Sequence, residues 1–136
     1  MIRFVLDASV ALAWCFEDEI AADGLLSLMI SAEALVPSIW PVEIGNALLV
    51  AERRRRITAT AAARHLALLA SLNIQIAPAP SLAWIGDLLP LARRRNLALY
   101  DACYLSLASR EHIPLATIDA ALARAARLEG VTVLKA

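Results

Sequence analysis

The sequence predicts a three-layer α/β/α fold, with a central, mostly parallel sheet of about four to five strands. Short apolar segments typical of strands alternate with longer segments of helical periodicity along the whole chain. Strands that alternate with helices form parallel sheets covered by helices on both faces. The chain has 136 residues, which suits a single domain spanning residues 1–136.

The first half of the chain contains two predicted strands and four predicted helices. A strand over residues 3–6 ends at Asp7 and is followed by helices over 8–16 and 20–32. A short strand is expected over 35–37. Pro41 suits the first turn of a helix running from about 42 to 56, and Thr58 opens a further helix that continues to residue 72.

The second half of the chain continues the alternation. Residues 74–78 alternate like a strand that proline stops, and a helix over 82–95 ends at Asn96. A helix over 101–110 precedes a strand over 114–118, which ends at Asp119. A helix over 120–128 is capped by Gly130, and residues 131–134 form the last strand.

Composition excludes several classes of protein. Hydrophobic residues make up 60% and charged residues 19%, so the chain is neither disordered nor a coiled coil. The two cysteines form no CxxC motif, which argues against a zinc ribbon and favours reduced thiols in the cytoplasm. Prolines and amides interrupt the longest uncharged stretch, and Asp7 interrupts any signal peptide, so neither membrane insertion nor export is expected. A mean hydropathy of +0.64 predicts that apolar surface is covered by another chain.

Charge is balanced overall but unevenly distributed. The formal net charge is zero, so the chain is not a globally basic nucleic-acid binder. Seven of its arginines form two runs, residues 53–56 and 93–95. These runs are candidates for contacts with a nucleic-acid backbone, and solvated helix ends are an equally good interpretation.

Acidic residues are the remaining candidates for chemistry, because the four glycines are too scattered for a phosphate-binding loop and no GxSxG motif occurs. Four carboxylates follow apolar segments at the points where a strand or loop leads into a helix: Asp7, Glu43, Asp101 and Asp119. Helix capping explains any one of them. As a set, they are expected to meet at the edge where parallel strands end.

Four carboxylates in one cleft repel one another, so cations are needed to keep them ionised. All-oxygen ligands favour Mg²⁺ or Mn²⁺ over zinc. A carboxylate-bound metal of this kind is suited to phosphate chemistry. The residues alone therefore predict metal-dependent hydrolysis of phosphate esters.

Four segments of the sequence resemble, in order, the acidic motifs of the PIN-domain ribonucleases. They are Val5-Leu6-Asp7-Ala8-Ser9, Pro41-Val42-Glu43-Ile44-Gly45-Asn46-Ala47-Leu48, Tyr100-Asp101-Ala102 and Thr117-Ile118-Asp119. The resemblance spans the whole chain, and the length is similar to that of VapC-type toxins of bacterial toxin–antitoxin pairs. In many relatives an acidic residue follows the fourth motif, whereas Ala120 and Ala121 stand here.

The resemblance implies a Mg²⁺- or Mn²⁺-dependent endoribonuclease and a cognate antitoxin that blocks its site. Asp7, Glu43, Asp101 and Asp119 would be the metal-site carboxylates. Ser9 and Thr117 would orient the aspartates, and Asn46 would face the same cleft. Arg53, Arg54, Arg93 and Arg94 are candidate RNA contacts. A homodimer is expected, with the antitoxin bound against the helix over 20–32 or the face of residues 42–50.

Three other functions compete with this interpretation. A phosphatase of the haloacid-dehalogenase type needs a second aspartate where Ser9 stands. A receiver-like phospho-acceptor domain would use Lys135, but the strand ending at Pro78 offers no acceptor aspartate. A PIN-like module that binds RNA or protein without cleavage is the third, and the intact set of four acids argues against it.

Overall fold

The computed structural model describes residues 1–16 and 23–134. Its strands are β1 (Arg3–Leu6), β2 (Glu33–Val36), β3 (Ile74–Ile76), β4 (Leu115–Ala116) and β5 (Val133–Leu134). Its helices are α1 (Ala8–Cys15), α2 (Asp23–Leu28), α3 (Trp40–Arg53), α4 (Ala59–Ser71), α5 (Leu82–Arg95), α6 (Leu99–Glu111) and α7 (Ala120–Leu128).

The five strands form one parallel sheet in the order β3-β2-β1-β4-β5, which confirms the predicted α/β fold. From β1 the chain adds strands on one side as far as β3, then crosses back and adds β4 and β5 on the other side. The order therefore reverses between β1 and β4, where Leu6 pairs with Ala116. The carboxyl ends of the strands at such a reversal form the crevice in which open α/β sheets place their sites.

Helices on both faces of the sheet complete the three layers. Helices α1, α3 and α4 contact one another in sequence, and α5, α6 and α7 form a second connected group. Strand β1 is the centre of the core, because Phe4, Val5 and Leu6 have no exposed surface. Tyr104 of α6 is equally buried and is among the largest side chains of the core.

Two helices end three or more residues earlier than predicted. The predicted helix 20–32 corresponds to α2, and residues 20–22 lie outside the described part of the chain. This helix stops at Leu28 because the backbone must join the sheet, where the amide of Glu33 donates to the carbonyl of Ile2 at 2.9 Å. Helix α3 ends at Arg53 rather than at residue 56, since Arg55 adopts a left-handed conformation with φ 58°.

The start of α6 corrects the prediction that Asp101 begins this helix. The helix begins at Leu99, and its N-cap, Ala98, makes no side-chain hydrogen bond. Asp101 therefore lies inside the first turn. The capping interpretation of this residue is wrong, although a carboxylate there still suits the helix dipole.

Helices α5 and α7 have the predicted boundaries. The φ angles of Asn96 and Gly130 are +54° and +77°, which is the left-handed conformation expected where a helix ends. Cys15 and Cys103 are buried and unpaired, and burial raises the pKa of Cys15 to about 11, as expected of inert thiols. None of the helices in the described residues is long and apolar enough to span a membrane.

Candidate active site

Asp7 lies at the centre of the carboxyl edge of the sheet. It follows β1 directly, and its backbone amide donates to the carbonyl of Ala116 at 3.0 Å, which continues the β1–β4 ladder. It occupies the N-cap position of α1, yet its side chain makes no capping hydrogen bond. The residue is only 6% exposed. A buried carboxylate that does not cap its helix needs another role or another partner.

Two hydroxyl groups fix the orientation of the Asp7 carboxylate. Ser9 Oγ donates to Asp7 Oδ2 at 2.6 Å, and Thr117 Oγ1 donates to the same oxygen at 2.8 Å. The amide of Asp119 in turn donates to Thr117 Oγ1 at 3.0 Å. Ser9 and Thr117, to which the family resemblance gives an orienting role, thus both contact Asp7, and Thr117 also connects it to the turn that carries Asp119.

Glu43 is held by a residue that the sequence analysis missed. Tyr104 Oη donates to Glu43 Oε1 at 2.7 Å, across 61 positions of sequence. Glu43 lies in the first turn of α3, and Tyr104 lies one turn after Asp101 on α6. A buried tyrosine hydroxyl needs a hydrogen-bond partner. The apolar residues around Tyr104 in the sequence could therefore have indicated that its hydroxyl binds another polar side chain.

Asp119 is the acid for which helix capping is correct. Its Oδ1 accepts a hydrogen bond from the amide of Leu122 at 3.0 Å, which caps α7. Its side chain is exposed, whereas Glu43 and Asp101 are partly buried. The second carboxylate oxygen of Asp119 is not used by this cap, so capping and a binding role are compatible.

The four carboxylates are close enough to affect one another electrostatically. Burial, together with the negative charges of Asp7, Asp119 and Glu43, raises the pKa of Asp101 to about 6. Burial also raises the pKa of Asp7, and the hydrogen bonds from Ser9 and Thr117 oppose this increase. The pKa of Glu43 is raised by burial and by Asp7, and Tyr104 opposes the increase.

The four carboxylates have the oxygen ligands that a hard divalent cation prefers. Every candidate ligand is a carboxylate oxygen, and burial together with neighbouring negative charge raises the pKa of Asp7, Glu43 and Asp101. Within residues 1–16 and 23–134 no three acidic, histidine or cysteine side chains form a ready-made metal cage. Mutual repulsion keeps ionised carboxylates apart, and ligands of Mg²⁺ commonly include waters.

A groove between α1 and α3 opens beside Asp7. Its volume is about 470 Å³, and Ser9, Asn46 and Arg54 line it. Asn46 is exposed and shares this groove with Ser9, one turn after Glu43 on α3. Arg54 and Arg56 of the first arginine run line this groove, whereas Arg53 is exposed outside its lining.

The second arginine run lies at the carboxyl end of α5, and an acidic residue pairs with two of its members. Arg94 forms an ion pair with Glu129 at 2.5 Å, and Arg95 pairs with the same carboxylate at 2.6 Å. Both also line a groove beside α7, whereas Arg93 is exposed outside its lining. The run is therefore anchored by an acidic residue that sequence reasoning did not associate with it.

A match to a known family agrees with this geometry. The family model of the PIN domain matches residues 4–128, which include all four carboxylates. The chain belongs to the PIN domain family. The resemblance inferred from the four motifs is thereby confirmed. No curated protein sequence matches this PIN domain significantly.

Solved structures share the fold of this PIN domain at low sequence identity. PAE2754 from Pyrobaculum aerophilum is 23% identical, with a TM-score of 0.75, over 97% of this chain and 89% of that one. VapBC2 from Rickettsia felis, bound to a DNA fragment from their promoter, is 14% identical with a TM-score of 0.68, over 98% of each chain. FitAcB from Neisseria gonorrhoeae is 17% identical with a TM-score of 0.58, over 96% of each chain.

Proposed function

We propose that this PIN domain is a Mg²⁺- or Mn²⁺-dependent endoribonuclease and the toxin of a type II toxin–antitoxin pair. One observation carries the nuclease proposal: three other carboxylates raise the pKa of Asp101, so four acids from distant segments share one electrostatic environment. Membership of the PIN family supports the same activity. A cytoplasmic location follows from this proposal.

In the proposed site, Asp7, Glu43, Asp101 and Asp119 would hold the metal. A bound Mg²⁺ or Mn²⁺ lowers the pKa of its water and neutralises charge on a phosphodiester. Ser9 and Thr117 fix the plane of the Asp7 carboxylate through Oδ2, and Tyr104 fixes Glu43 through Oε1. These hydroxyls position the acids before any ligand arrives, which reduces the cost of ordering them on binding.

A cleavage assay tests the proposal. Structured RNA is incubated with the purified protein and Mg²⁺ or Mn²⁺, with chelator, and with the variants Asp7→Asn and Asp101→Asn. We expect cleavage that requires the metal and is lost in both variants, whereas Asp87→Asn, an exposed change on α5, cleaves normally. Circular dichroism checks that each variant is folded. Normal cleavage by folded Asp7→Asn and Asp101→Asn would show that the carboxylate assignment is wrong.

A catalytically silent PIN-like module that binds RNA or protein is the second candidate. The observation that favours it is the lack of a compact three-ligand cage among the described side chains. The same assay separates the two functions. A wild-type protein that binds RNA but never cuts it with either metal would establish the binding module.

We further propose that the protein is a homodimer inhibited by an amphipathic segment of its antitoxin. Exposed apolar side chains support contacts with a second copy of the chain and with the antitoxin. Val42 and Leu49 are exposed on α3, and Leu82 and Leu89 are exposed on α5. The antitoxin segment would lie against α2 or against the face of α3 beside the groove that reaches Asp7. Relief of growth inhibition on co-expression with the product of a neighbouring gene, and on Asp101→Asn substitution, would identify a toxin.

A further inference from the structure

A second groove runs along α7 and adjoins the carboxylate edge. Its volume is about 560 Å³, and its lining comprises Arg94, Arg95, Asn96, Ala120, Ala121, Arg124, Ala125 and Leu128. One wall begins at Ala120, the residue after Asp119. The other wall ends at Asn96, five residues before Asp101. The end of the groove at Ala120 therefore adjoins Asp119 in the chain, and Asn96 precedes the helix that carries Asp101.

The groove carries an excess of positive charge. Three arginines line it, and no acidic side chain is part of the lining. Arg94 and Arg95 share Glu129, one carboxylate for two guanidinium groups, and this pairing holds both in place. Arg124 is exposed on α7 and adds a further positive charge. The charges that face the groove from α5 and α7 therefore sum to a positive value even when Glu129 and Asp119 are included.

The two alanines after Asp119 leave this groove open toward the acids. Ala120 and Ala121 are both exposed and form its lining at the start of α7. A longer acidic side chain at either position would narrow the groove and oppose an anionic ligand. With a rise of 1.5 Å per residue, the lining from Ala120 to Leu128 extends about 12 Å along the helix. This length suits an extended chain rather than a small anion.

We propose that this groove, called here the α7 groove, binds the phosphate backbone of single-stranded RNA as it enters the acidic site. Arginine forks bind phosphate oxygens, and a positive groove can track a nucleic-acid backbone without reading its sequence. Glu129 preorganises Arg94 and Arg95, and Arg124 supplies the charge nearest to the alanines. The proposal rests on the proposed ribonuclease function and adds Asn96, Arg124 and the two alanines to it.

Fluorescence anisotropy with a labelled single-stranded RNA of mixed sequence tests the α7 groove. The protein carries Asp101→Asn and the buffer contains chelator, so that binding is measured without cleavage. Each phosphate contact contributes about 0.7 to the slope of log affinity against log salt for single strands. We expect Arg124→Ala to reduce the slope by about 0.7, so that a tenfold increase in salt weakens its RNA binding roughly fivefold less than it weakens that of the parent protein.

Matched variants control for charge and for helix stability. Arg3→Ala removes one arginine at the opposite end of β1 and should leave binding unchanged. Ala121→Glu adds a charge to the groove without removing an arginine and should weaken binding at least as much as Arg124→Ala. Ala63→Glu adds the same charge to an exposed position of α4, outside the groove, and should bind normally. Thermal melting checks that all four variants are folded.

The outcomes separate this inference from the proposed function. If the wild-type protein cleaves RNA with Mn²⁺ but Arg124→Ala and Ala121→Glu bind RNA like their controls, the groove proposal is overturned and the ribonuclease stands. If no cleavage occurs but both groove variants weaken RNA binding, the groove proposal holds and the nuclease fails. Absence of any RNA binding, or loss only of a bound antitoxin in the groove variants, overturns the groove as an RNA site.

Discussion

At the scale of single residues, the hydroxyl groups of the core decide how the acids are held. Tyr104 has no exposed surface, and its hydrogen bond to Glu43 links α6 to the first turn of α3. Burial raises the pKa of this phenol, and the hydrogen bond to Glu43 and its charge raise it as well, so Tyr104 remains a donor at every physiological pH. The tyrosine is therefore a positioning residue for Glu43.

Tyr104→Phe removes this single hydrogen bond without changing the ring. We expect the free energy of unfolding to fall by about 1 kcal/mol, the usual net contribution of one hydrogen bond. Affinity for Mn²⁺ should fall roughly 10-fold or more, as when other residues that orient metal ligands are removed. Urea unfolding and calorimetric titration with Mn²⁺ measure the two effects. Tyr100→Phe on the same helix, where the side chain is 62% exposed, should change neither quantity.

Asp101→Asn should stabilise the metal-free protein at neutral pH. Its pKa is about 6 in the folded chain against 3.8 ordinarily, so ionisation of Asp101 opposes folding above pH 6. Since the carboxyl is partly exposed, we expect a gain of roughly 1 kcal/mol at pH 7.5 in chelator. The advantage of the variant should disappear as the pH falls from 6 toward 4, where wild-type Asp101 is protonated. Urea unfolding of Asp87→Asn, which should match the wild type, is the control.

At the scale of secondary-structure elements, local signals explain where prediction succeeded. Helices α5 and α7 matched their predicted boundaries because side chains at their ends carry the signal: Ser81 and Asp119 cap the amino ends, and Asn96 ends α5 in a left-handed conformation. Helix α6 was placed two residues late because Ala98 offers no capping oxygen. Helix α2 ends earlier than predicted because the amide of Glu33 pairs with Ile2 in the sheet, and a contact between such distant residues leaves no local pattern in the sequence.

Glu129 connects the ends of two helices, and its removal should weaken that connection. Hydrogen bonds from Arg94 and Arg95 lower the pKa of Glu129 to about 2, against 4.5 ordinarily. Its contribution to stability is therefore fully present above pH 4.5 and is lost as the pH falls through 2. We expect Glu129→Gln to lower the free energy of unfolding by about 1 kcal/mol at pH 7, given the exposure of the pair.

The pH profile distinguishes this ion pair from simple packing. The difference between Glu129→Gln and the wild type, measured by urea unfolding, should be constant from pH 7 to 5 and shrink progressively between pH 4 and 2. Glu111→Gln removes an exposed acid at the end of α6 and should follow the wild type throughout. A difference that does not change with pH would show that packing, rather than charge, carries the effect.

At the scale of the whole molecule, sheet order determines which acids meet. The sequence indicated that Asp7 and Asp119 follow strands, and parallel strands end at one edge. It did not reveal that β1 and β4 are neighbours at the point of reversal, because pairing across more than a hundred residues leaves no local pattern. The bond between Tyr104 and Glu43 and the α7 groove were missed for the same reason. Each depends on elements that are distant in the chain.

The acidic edge should make the stability of the whole fold depend on divalent cations. Any cation that binds the folded chain alone stabilises it by RT ln(1 + [L]/Kd), which is about 2.7 kcal/mol at 100 times Kd. For a domain of this size, that corresponds to an increase in Tm on the order of 10 °C.

We expect this increase when Mn²⁺ is added to the wild type or to Asp87→Asn. It should be much smaller for Asp7→Asn and Asp101→Asn, because each variant lacks one of the mutually repelling charges that a cation would balance. Differential scanning calorimetry in chelator and in Mn²⁺ measures the four differences. An equal increase in all four proteins would place cation binding elsewhere on the molecule, and the carboxylates would then be a source of instability without a ligand to offset it.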